Sequence, residues 1–88
     1  MLTKKDLEKY REIIEGAVIE LGRDDVGVGD IAEVREGVLS VTFSRGTHTS
    51  SAEIDVDRLQ NNEEAKHTVG AAMIPLSKAV AREAIQKA

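Results

Sequence analysis

An 88-residue chain has room for one domain and one core, and 41% hydrophobic with 32% charged residues excludes a disordered polymer. The absence of cysteine excludes disulfides, thiolate zinc sites and a cysteine nucleophile. The formal charge of −4 is concentrated in residues 23–57, where eight acidic side chains face three basic ones, which excludes a broad basic surface for a polyanion.

Residues 3–21 have the helical period. Thr3 followed by Asp6 resembles a capping box with Asp in place of Glu. Leu7, Tyr10, Ile13, Ile14, Ala17, Val18 and Leu21 fall within one arc, with Ile19 left on the polar side. Gly22 supplies the stop. The next segment, "GVGDIA" from Gly27 to Ala32, spells G-x-G-x-x-A, a form of the dinucleotide-binding turn. That turn must follow a strand and open a helix, so that free N–H groups meet the pyrophosphate. Here a helix precedes it and a strand follows, and Asp24, Asp25 and Asp30 would repel phosphate. The segment is expected to be a flexible helix-to-strand connection.

The period then changes to two. Strands are expected at 31–35, 38–44 and 51–57, with turns at Glu36-Gly37 and around 45–48. Plain alternation assigns Ala32, Val34, Leu39, Val41, Phe43, Ala52, Ile54 and Val56 to one apolar face. Glu53, Asp55 and Asp57 then share the opposite face of the third strand, a solvated acidic surface in preference to a cation site. "DVDRLQNNEE" begins like a calcium loop but lacks its later ligands and its glycine.

From about residue 58 the helical period returns, with Asp57 or Asn62 as the expected cap. Ala65, Val69, Ala72, Met73, Leu76 and Val80 form one face. Pro75 interrupts the run, so either one helix kinks or two short helices meet near 71–75. A second apolar stripe, Ala71, Ile74, Ala81 and Ile85, lies roughly opposite the first, and a helix covering one layer needs only one stripe.

These elements predict that residues 1–88 form a single α+β domain. It is a two-layer sandwich of α-β-β-β-α order. A three-stranded antiparallel meander is covered on one face by the N-terminal helix and by the kinked or split C-terminal helix. The order helix, three strands, helix resembles the double-stranded-RNA-binding domain, and "EEAKHTVGAA", Glu63 to Ala72, resembles the start of that family's second helix. The resemblance implies the same layer order. The family's phosphate-gripping lysines are replaced here by Asn61, Asn62, Glu63 and Glu64, with Lys66 remaining.

Candidate chemistry is sparse. His48 and His67 are nineteen residues apart and have no third ligand in a metal-binding spacing. The polar stretch "SRGTHTSS" is the best candidate binding loop, through Arg45, Thr47, His48 and Thr49. It provides no orienting group or oxyanion hole for a serine nucleophile. No catalytic residue, metal or cofactor is therefore expected, and the chain is read as a non-enzymatic interaction module. With Tyr10 and Phe43 the only aromatics, the core is aliphatic and thin, so a second subunit would add burial. A homodimer through Ala71, Ile74, Ala81 and Ile85 is the leading expectation, with an unidentified protein partner next. The alternatives are nucleic-acid binding through Lys66, Lys78, Arg82 and Lys87, and an acidic inhibitor or accessory protein that blocks a basic surface. No apolar run of signal-peptide length opens the chain and none approaches the ~20 residues of a membrane span, so a cytoplasmic location without membrane association is expected.

Overall fold

The computed structural model describes residues 2–23 and 25–87; the side chains of Val80 and of residues 83–87 lie outside the described ones. The elements run α1 (Lys4–Glu20), β1 (Gly27–Arg35), β2 (Val38–Arg45), β3 (His48–Asp55), a 3-10 turn (Val56–Leu59), α2 (Asn62–Ala72) and α3 (Ile74–Lys87). This is the expected α-β-β-β-α order, with the three strands in one open antiparallel sheet, order β1-β2-β3.

α1 begins at a complete capping box. The Thr3 hydroxyl accepts from the Asp6 N–H at 3.2 Å, and the Asp6 carboxylate accepts from the Thr3 N–H at 3.0 Å. Two N–H groups that the first turn cannot satisfy are thereby paired. The Thr3 N–H foremost, and the Thr3 hydroxyl after it, hold the Asp6 carboxyl below its usual range. Gly22 ends the helix at φ +74°, a left-handed conformation that costs glycine little. Tyr10, Ile14, Ala17 and Val18 are buried, and Ile19 is 67% exposed.

The sheet departs from simple alternation in β1. Val28 pairs with Phe43 and Ile31 with Val41, so Gly29 and Asp30 together oppose Thr42. This β-bulge shifts the inward parity by one residue. Ile31 and Glu33 consequently point to the helix side, while Ala32 is exposed and Val34 is 50% exposed. The assignment of Ala32 and Val34 to the apolar face is thus corrected. Glu33 does not enter the core as a bare carboxylate. It accepts from the Leu2 N–H at 2.9 Å and from the Gly37 N–H at 3.3 Å, which lowers its pKa below the ordinary 4.5, the Leu2 bond contributing most. "GVGDIA" also proves to be strand and not a flexible connection, since Gly27 already pairs with Ser44. At Gly29 a Cβ would stand 3.4 Å from the Thr42 carbonyl oxygen, so the absent side chain lets the bulge sit close to β2.

β2 and β3 alternate as expected, in unbroken register from Val38↔Asp55 to Arg45↔His48. β3 begins three residues before the expected 51–57 and ends two residues before it. Asp57 therefore leaves the strand for the 3-10 turn, where its N–H binds the Asp55 carboxylate, and only Glu53 and Asp55 share the outer face. Leu39, Val41, Phe43 and Ile54 are buried on the helix side. α1 packs on β1 and α2, and α3 packs on β2 and β3. Val69, Met73 and Leu76 complete the core from the C-terminal side. Burial of each large aliphatic side chain contributes roughly 1.5–3 kcal/mol. The cap of α2 is Asn61, not Asp57 or Asn62: its side-chain oxygen accepts from the Glu63 and Glu64 N–H groups at 2.8 and 3.3 Å. Met73 joins α2 and α3 into one bent helix. Pro75 occupies the second position of α3, where a missing N–H costs little.

Candidate interaction surface on the C-terminal helix

The bent helix has two unlike sides. The inward residues Ala65, Val69, Met73 and Leu76 are at most 4% exposed. On the outer side Ala71 and Ala81 are exposed and Ile74 is 50% exposed. The structure thus brings three of the four expected interface residues to solvent on one side of the helix, and the Ile85 side chain lies outside the described residues.

Two further residues join this surface. Leu21, assigned by its period to the core, is 39% exposed where α1 unwinds. Gly70 lies against it; a Cβ there would stand 3.6 Å from a Leu21 methyl. Leu21, Gly70, Ile74, Lys78 and Ala81 line a shallow open groove of about 400 Å³. The signal for Leu21 was its place beside the Gly22 stop, where the last turn has fewer neighbours. The rim carries both signs. Lys66 bonds Glu63 at 2.9 Å and lies 3.8 Å from Glu20, while Arg23 and Lys78 flank the groove. The Lys66 ammonium holds the Glu63 carboxyl below its usual range, and Glu63 holds the Lys66 ammonium above its own.

The hairpin residues are placed differently. Arg45 closes β2 and His48 opens β3 directly opposite it, leaving Gly46-Thr47 as a two-residue turn. Gly46 has φ +62° and Thr47 a negative φ, the sign pattern of a type II′ turn. Arg45 forms an ion pair with Asp25. Turn and ladder geometry thus account for the polar composition of this loop, and Thr47 and Thr49 are exposed there.

Of the basic C-terminal residues, Lys78 and Arg82 are exposed, Lys66 is held by its carboxylates, and the Lys87 side chain lies outside the described ones. Among the described residues no three His, Asp or Glu side chains are grouped to hold a metal ion, and no helix is long and apolar enough to cross a membrane. No family model, curated protein or solved structure matches this chain.

Proposed function

We propose that this protein is a non-enzymatic interaction module that forms a homodimer through the outer side of its bent C-terminal helix. The observation that carries the reading is Ile74: a large β-branched side chain, half exposed, on a helix whose opposite side already fills the core. Around it, Gly70, Ala71 and Ala81 are small, so a second helix can approach closely. A two-fold axis places the same patch on both subunits. The mixed rim suits that arrangement, because Glu20 and Glu63 on one copy can meet Arg23 and Lys78 on the other. A standard interface buries about 800 Å² per partner, and the gain would offset the thinness of an aliphatic core.

Sedimentation equilibrium over a micromolar concentration series tests the proposal. The wild-type protein is expected at twice the 9.5 kDa chain mass. Ile74→Lys places a charge in the apolar centre of the patch and should give the single-chain mass with an unchanged circular dichroism spectrum. A wild-type monomer overturns the proposal, and so does a variant that dimerises as well as the wild type.

A further inference from the structure

The two edges of the sheet are treated unequally. An unpaired edge exposes N–H and C=O groups that any extended chain can pair with, and folds usually blunt such edges. The β1 edge is blunted. It is broken by the bulge at Gly29-Asp30 and by a second irregularity at Val34. The Arg11 guanidinium donates to the Val28 and Gly29 carbonyls at 3.2 and 2.7 Å, so two carbonyls where the bulge begins are already occupied. β3 is continuous. Its eight residues pair with β2 without a bulge, it contains no proline, and among the described residues no backbone bonds its outer edge.

Beside that edge lies an open groove of about 930 Å³, between β3 and α2. Its apolar floor is made by Ala52, Ala71 and Ala72 together with the side of Ile54. On the neighbouring strand Leu39, Val41 and Phe43 are large and fully buried, whereas Ala52, opposite Val41, is small and only half-buried. A strand added to β3 would send alternate side chains down onto these alanines. Its remaining side chains would stand beside Glu53 and Asp55 on the outer sheet face, and Glu63 and Glu64 line the opposite wall. The lining contains four carboxylates against Arg58 and His67. Glu53 and Glu64 have ion pairs with Arg35 and Arg58, but those pairs are solvent-exposed and worth little, so a cationic partner can exchange with them; Glu63 is held by the half-buried Lys66.

We infer that the β3 edge and the groove beside α2 accept an extended segment of another protein, alternating large apolar and basic residues, as a fourth strand. Main-chain pairing supplies the adhesion, the alanine floor accepts one set of side chains, and Glu53 and Asp55 select the other. The site does not require self-association through Ile74, but it shares Ala71 and Glu63 with that surface, so the titration is also run on Ile74→Lys, where binding should persist.

The test is an amide NMR titration of the full chain with three synthetic peptides: eight residues alternating valine and lysine, the same peptide with glutamate for lysine, and the lysine peptide with prolines at alternate positions. The valine–lysine peptide is expected to bind, to shift the 50–55 and 64–72 amides, and to slow hydrogen exchange in β3. Glu53→Lys should weaken it by about tenfold, and binding should weaken as salt is raised. The glutamate and proline peptides should not bind. Three results overturn the inference: equal binding by the proline peptide, shifts without exchange protection in β3, or no binding by any peptide. β3 amides protected in the free protein in proportion to its concentration also overturn it, because the edge would then be filled by a second copy.

Discussion

Glu33 shows how one side chain can occupy the wrong-looking side of a strand. Plain alternation sends Val34 inward and Glu33 to water. The two-residue bulge before it reverses that choice, and the carboxylate is accommodated because the Leu2 and Gly37 N–H groups meet it. Both bonds favour the ionised form, so its folded pKa lies below the ordinary 4.5. A carboxyl lowered in the folded state contributes stability above its unfolded pKa, and that contribution is lost as pH falls through the folded value. Wild-type stability, measured by urea unfolding, should therefore fall more steeply below pH 4.5 than that of Glu33→Gln, whose neutral amide has no proton to gain. Parallel pH curves for the two proteins would show that the Glu33 bonds favour neither protonation state. The sequence does not reveal this residue's orientation. A bulge is set by which backbone groups pair, and a Gly-x-Gly-Asp run is equally compatible with a loop.

The elements themselves were more legible than their edges. α1 was readable because seven apolar residues repeat at 3.6 and because Thr3, Asp6 and Gly22 mark its two ends. β2 was readable because Leu39, Val41 and Phe43 alternate with Ser40, Thr42 and Ser44 and neither bulge falls within it. The start of α2 was not. Asp57, Asn61 and Asn62 are all good caps, and only the 3-10 turn ending at Leu59 decides that Asn61 meets the first free N–H groups. Asn61→Ala should therefore cost about 1 kcal/mol of unfolding free energy, whereas Asn62→Ala, in the exposed first turn, should change stability by less than about half of that. Equal effects in chemical denaturation would contradict this placement of the cap. The Pro75 ambiguity also resolves at this scale: α2 and α3 are separate segments of one bent helix, joined at Met73.

At the scale of the molecule, the two-layer arrangement leaves one side of the bent helix uncovered, and the function proposed here follows from that surplus. The exposure of Ala71, Ile74 and Ala81 was legible because a helix with two apolar sides is unusual in a single layer. The contribution of Leu21 and Gly70 was not, because it requires the end of α1 to lie beside α2. Secondary-structure periods say which residues share a side of one helix; they are silent about which other helix arrives there. A mixed sample of carbon-13-labelled and unlabelled protein, examined by isotope-filtered NMR for contacts between copies, tests the pairing surface most directly. Intermolecular contacts are expected from the Ile74 methyl groups to Ala71, Ala81 or Leu21 of the second copy. Intermolecular contacts confined to Val34 and the open sheet face, or none at a concentration of several hundred micromolar (on the order of a hundredfold above a micromolar Kd), would contradict it.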